Sequence, residues 1–184
     1  HNPEVTMAMH YHIEIRPKTL YFKKPAGTSR GTYTERKSWY ICLTAEETPG
    51  RQGIGECAPL PKLSCDDVPG YEEVLAKACQ NYTRTGRINV DELRDYPSIL
   101  FGLETAIRHF EAGSFALWDT PFSRGETGIP INGLVWMGSY EEMLKQAADK
   151  IESGFRCIKL KIGAIDFDKE LEILRIIRKQ FSSD

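Results

Sequence analysis

Alternation in one seven-residue run, Cys157-Ile158-Lys159-Leu160-Lys161-Ile162-Gly163, most constrains what this chain can fold into. On an extended strand successive side chains point to opposite faces, so Cys157, Lys159 and Lys161 share one face and Ile158, Leu160 and Ile162 the other. Helical spacing flanks the run on both sides. Tyr140, Met143, Leu144, Ala147, Ala148 and Ile151 form one stripe over 139–153, opened by Ser139 and Glu142 as a capping box and stopped at Gly154. Phe167, Leu171, Leu174, Ile177 and Phe181 form another over 166–181. A helix-strand-helix order of this kind belongs to parallel sheets, and both helices need the apolar strand face to cover. The lysine face is then the open one. Strands of parallel sheets are normally apolar on both faces, and two ammonium groups are costly to desolvate. They are expected to meet water, a metal-bound carboxylate or another ligand at the strand's C-terminal end. Taken alone, Lys-Leu-Lys usually marks a solvated strand face; the flanking helices turn it into a site hypothesis.

Ahead of that region the pattern is mixed α+β. Tyr11, Ile13 and Ile15 alternate over 10–16, and 19–22 reads as a hairpin partner after Pro17. Trp39, Ile41 and Leu43 alternate over 37–45, and 53–57 closes an antiparallel meander ended by Pro59 and Pro61. Between the first strands, 23–36 is basic, rich in Gly, Ser and Thr and without periodicity, which reads as a mobile lid rather than a tight turn. Two helices, 69–82 and 98–112, carry apolar stripes that can cover the sheet. The polar, Gly-containing stretch 120–128 marks the expected boundary, and 129–134 reads as the next buried strand. The resulting division is a tag remnant or disordered start at 1–7, an α+β domain at 8–125 and an alternating α/β region at 126–184.

Charge and cysteine usage exclude several functions. A net charge of −2 leaves no electrostatic footprint for nucleic acid, and no apolar run approaches the roughly 20 residues a membrane helix needs. Five cysteines without CxxC spacing fit reduced thiols in a cytoplasm better than disulfides or a zinc site. Gly53-Ile54-Gly55 lacks the third glycine and the strand-to-helix position of a dinucleotide fingerprint. His10 and His12 share a strand face, but without a carboxylate or cysteine at matching spacing they read as surface histidines. Glu56, beside a proline-rich turn, reads as a local cap or ion-pair partner.

The ordered series Gly53-Ile54-Gly55-Glu56-Cys57-Ala58-Pro59-Leu60-Pro61, then Pro97 to Ala106, then Ile131-Asn132-Gly133-Leu134, then Gly154-Phe155-Arg156 leading into Lys159-Leu160-Lys161, resembles the enolase superfamily in its muconate-lactonizing subgroup. Within it the chain is most similar to the o-succinylbenzoate-forming members of menaquinone biosynthesis. The resemblance implies an enolase-like N-terminal capping domain, followed by the first two βα units of a modified (β/α) barrel. It implies Lys161 as the general base that removes a proton α to a carboxylate, and Lys159 as its electrostatic support facing that carboxylate. It further implies Mg2+ as cofactor, a small carboxylate as substrate, and the segments 23–36 and 58–63 as substrate-facing, with Thr28, Ser29, Arg30 and Leu60 as candidate contacts.

A (β/α) barrel takes about 250 residues, so 126–184 can supply only two of its units. The three acidic magnesium ligands and the second lysine of the family are expected on strands that this sequence lacks. The chain is therefore expected to be an incomplete, inactive portion that needs the rest of a barrel or an oligomeric contact. Close relatives within the superfamily racemise N-acylamino acids or epimerise dipeptides, which is the first alternative. A non-catalytic α+β binding module with solvated lysines is the second.

Overall fold

Three strands begin the chain: β1 (Tyr11–Thr28), β2 (Gly31–Ala45) and β3 (Gly53–Cys57), forming one sheet in the order β1-β2-β3. The computed structural model describes residues 8–28, 30–163 and 165–180; Ser29, Phe181 and the expected tag remnant at 1–7 lie outside the described residues. β1 runs unbroken through Pro17, where the sequence reading expected one strand to end and its hairpin partner to follow. The physical reason is position. β1 is an edge strand, so a residue without an N–H can sit there with no loss to the ladder.

The expected aperiodic lid at 23–36 is likewise strand, because β1 continues to Thr28 and β2 starts at Gly31. So short a link joins only antiparallel neighbours, and backbone pairing needs no hydrophobic alternation to signal it. β2 and β3 are antiparallel, with Trp39 opposite Cys57 and Leu43 opposite Gly53.

Helices α1 (Tyr71–Thr85) and α2 (Pro97–Ala112) supply the cover. Ile41, Leu43, Leu75, Ile99, Leu103 and Ala106 form the centre of a core that Tyr11, Ile13 and Ile15 flank. Glycines fix how closely α2 approaches β3. A Cβ on Gly55 would lie 1.8 Å from the Gly102 carbonyl oxygen, and one on Gly102 would lie 2.3 Å from the Cys57 sulfur. The Gly-x-Gly that fails as a nucleotide fingerprint is thus a packing device.

Burial pushes the Cys57 and Cys79 thiols up to about 12, which makes them inert hydrophobes here. All five cysteines are free.

The second region contains β4 (Gly133–Val135), α3 (Tyr140–Glu152), β5 (Ile158–Leu160) and α4 (Phe167–Gln180). β4 and β5 are parallel, with Gly133, Leu134 and Val135 opposite Ile158, Lys159 and Leu160. Val135, Met143, Ala147 and Ile173 form its core, with Ile158 and Leu160 packed against it. Ser139 caps α3 by accepting from the Glu142 N–H at 3.2 Å.

Two expectations fail in this region. Ile129 and Ile131 are 62% and 75% exposed and precede the strand, which begins only at Gly133. Phe167 and Leu174 are also exposed; Ile177 packs on the core as expected, but the fully buried position of α4 is Ile173.

The chain divides into two compact units. One extends to Phe22 and resumes over Glu35–Glu126; the other joins Lys23–Thr34 to the chain from Thr127 onward. Among the described residues no helix is long and apolar enough to cross a membrane.

Candidate active site

Both lysines lie where β5 ends. Ile158 and Leu160 turn toward Met143, Ala147 and Ile173, so strand alternation sends Lys159 to the other face. Lys159 sits opposite Leu134 in the parallel register and is exposed. Lys161 follows the strand. Its N–H donates to the Val135 carbonyl at 3.1 Å, carrying the ladder one bond past β5, and its side chain is half-buried.

Its ammonium meets an aromatic ring. Lys161 Nζ lies 4.0 Å from the centroid of the Trp136 indole, well inside cation–π range. Trp136 is in turn held by α3: its N–H donates to Gln146 Oε1 at 2.9 Å, and its carbonyl accepts from Gln146 Nε2 at 3.1 Å. One amide side chain thereby satisfies both backbone groups of Trp136, as a neighbouring strand would.

Sequence reasoning named neither residue. A signal was present, because aligning Gly-Leu-Val-Trp with Ile-Lys-Leu-Lys in parallel register brings Trp136 beside Lys161. The loop after β5 is closed from α4, where Glu170 accepts the Gly163 N–H at 2.7 Å.

The candidate substrate contacts divide between the two units. Thr28 and Arg30 fall in the same compact unit as Lys159 and Lys161, Leu60 falls in the other, and Ser29 lies outside the described residues. The Thr28 hydroxyl closes the hairpin turn, donating to the Gly31 carbonyl at 3.1 Å and accepting the Arg30 N–H at 3.2 Å.

Leu60 is half-buried in a segment that folds on itself. Its N–H donates to Ser64 Oγ at 2.8 Å and its carbonyl accepts the Ser64 N–H at 2.9 Å. Arg36 holds the start of this segment through the Ala58 carbonyl at 2.7 Å. Asp66, buried at its end, accepts the Ser98 N–H at 2.9 Å and so ties the segment to the first turn of α2.

His10 pairs with Glu47, and His12 lies 3.1 Å from Glu46, so the histidines meet carboxylates that are distant in sequence. Hydrogen bonding to Glu56 raises the Tyr40 phenol. Among the described residues no group of three or more His, Cys, Asp or Glu is placed to hold a metal ion.

Comparison with known proteins agrees with this architecture. Residues 28–110 match the family model "MenC, N-terminal domain". The chain is 35% identical to an o-succinylbenzoate synthase of Desulfotalea psychrophila, over 92% of its own length and 54% of the relative's. It therefore spans about half the length of the curated relative it matches.

The crystal structure of MenC from that organism superposes with a TM-score of 0.62 at 28% identity, covering 94% of this chain and 54% of that one. An o-succinylbenzoate synthase of Thermosynechococcus elongatus, complexed with Mg in its active site, gives 0.62 at 24% identity, covering 91% of this chain and 48% of that one. A dipeptide epimerase of Enterococcus faecalis, complexed with Mg and L-Leu-L-Tyr, gives 0.71 at 16%, covering 97% and 52%. By sequence and by fold together, the chain resembles the N-terminal half of o-succinylbenzoate synthase, with an N-terminal capping domain followed by the first units of a barrel.

Proposed function

We propose that this chain is the capping domain, 8–125, and barrel start, 126–184, of a cytoplasmic o-succinylbenzoate synthase of menaquinone biosynthesis. The observation that carries the reading is Lys159, exposed on the face of β5 opposite Ile158 and Leu160, with Lys161 directly after the strand, in a chain 35% identical to such a synthase.

In this reading Lys161 Nζ takes the proton α to the carboxylate of a succinyl-hydroxycyclohexadiene carboxylate. The C–H electron pair passes into the carboxylate and then expels the ring hydroxyl, so one proton and one hydroxide leave as water and the ring becomes aromatic. Lys159 attracts the carboxylate electrostatically and opposes protonation of its neighbour. Thr28 and Arg30, which share the compact unit of the two lysines, are the proposed contacts for the anionic substrate.

The reading includes a divalent metal, as in the Mg complexes of two relatives. The described residues do not fit that ion, having no carboxylate cluster to hold it. The steps assigned to this chain are therefore proton transfer and carboxylate binding alone.

The experiment is a substrate panel on the intact protein with Mg2+, following aromatic product absorbance beside racemisation of N-acylamino acids and epimerisation of dipeptides. Aromatic product formed faster than either isomerisation supports the synthase. Isomerisation alone moves the chain to the racemase or epimerase reading. No magnesium-dependent proton exchange with any of them leaves the α+β binding module.

A further inference from the structure

We infer that Trp136 and Gln146 are positioning residues for Lys161, a role that rests on Lys161 acting as the base. A lysine ends in four rotatable methylenes, so a strand can fix its Cα while leaving the nitrogen several ångströms of freedom. Two contacts remove that freedom here. The Lys161 N–H bond to Val135 fixes the backbone at 3.1 Å, and the indole of Trp136 receives the ammonium at 4.0 Å.

Among the described residues the ammonium has no carboxylate partner, and the aromatic face is the group it meets. That choice suits a base. A carboxylate would hold the proton through a strong, directional bond, whereas a ring face steadies the ammonium formed on proton abstraction without competing for its N–H groups.

Trp136 is itself 42% exposed and lies just past the end of β4, where a side chain would ordinarily move. The paired hydrogen bonds from Gln146, at 2.9 and 3.1 Å, stop the backbone from turning and so set where the ring can lie. α3 thus reaches the base through one amide and one indole.

The test uses the intact protein with succinyl-hydroxycyclohexadiene carboxylate. Trp136→Leu is expected to lower kcat on the order of tenfold with KM changed less than about twofold, because a misplaced base costs rate more than binding. Trp136→Phe keeps a ring face and is expected to recover most of that loss. Gln146→Leu is expected to lower kcat in the same sense.

A second readout needs no turnover: in protein carrying 13C-labelled lysine, the Lys161 ε-methylene resonance is shifted upfield by the indole, and Trp136→Leu abolishes the shift. Trp136→Leu with wild-type kcat, Trp136→Phe as impaired as Trp136→Leu, or no ring shift in the parent protein would each overturn the inference. Lys161→Ala separates the two levels. If it retains turnover, the base assignment fails; if it is dead while Trp136→Leu is unimpaired, only the positioning role fails.

Discussion

Gly55 and Gly102 show how one absent atom sets an interface. With 1.8 Å between the place of a Gly55 Cβ and the Gly102 carbonyl oxygen, no rotamer relieves the overlap, and α2 must move off β3. Gly55→Ala is expected to destabilise the fold by about 3 kcal/mol in urea unfolding, and a loss below about 0.5 kcal/mol would show slack in that interface. The glycines were legible as residues, but their purpose depends on a helix far along the chain.

The same distance hid the pairing of His10 with Glu47. Hydrogen bonding and charge from Glu47 raise the imidazole above its ordinary 6.5, while the backbone and ring of His10 lower the Glu47 carboxyl below 4.5. The raised imidazole stabilises the fold below pH 6.5 and ceases to do so as pH climbs through its folded value. The lowered carboxyl stabilises above pH 4.5 and ceases as pH falls through its own. The pair therefore supports the fold most between those two values. An NMR titration should find the His10 midpoint above 6.5, returning toward it in Glu47→Gln; a parent midpoint at or below 6.5 would mean that the contact is not formed.

Elements whose side chains alternate or stripe were readable, and elements made by backbone pairing or docking were not. Gly53–Cys57 and Tyr140–Glu152 follow from periodicity and caps almost residue for residue. The far half of the β1–β2 hairpin did not, since Lys23, Lys24, Pro25 and Ala26 offer no alternation. The stripe of α4 was misplaced because Phe167 is apolar yet exposed at the helix start, while Ile173 carries the burial.

The start of α2 shows docking at work. Tyr96 at its N-cap makes no side-chain cap, and Asp66 from the preceding segment provides the carboxylate instead. Asp66→Ala leaves the Ser98 N–H without its acceptor and should cost about 1–2 kcal/mol by thermal unfolding. An unchanged Tm would show that water replaces the carboxylate.

At the scale of the whole molecule, the fold class was legible through the family resemblance that the ordered motifs from Gly53 to Lys161 carry, and the alternation of the two lysines singled out the strand. What escaped notice lies one residue beyond the pattern. Trp136 and Gln146 follow only from the strand register and from the face of α3 that meets the end of β4.

Central to the proposed function is Lys161, just past the parallel strand β5, as the base. Lys161→Ala removes the proton acceptor together with a charge that is awkward to half-bury, so the folded state should hold or gain stability while the chemistry stops. The direct measurement is turnover of succinyl-hydroxycyclohexadiene carboxylate by the intact Lys161→Ala protein, with its Tm recorded alongside. Aromatic product below about one-thousandth of the parent rate at an unchanged or higher Tm is the predicted result; near-parental turnover, or loss of the folded state, would contradict it.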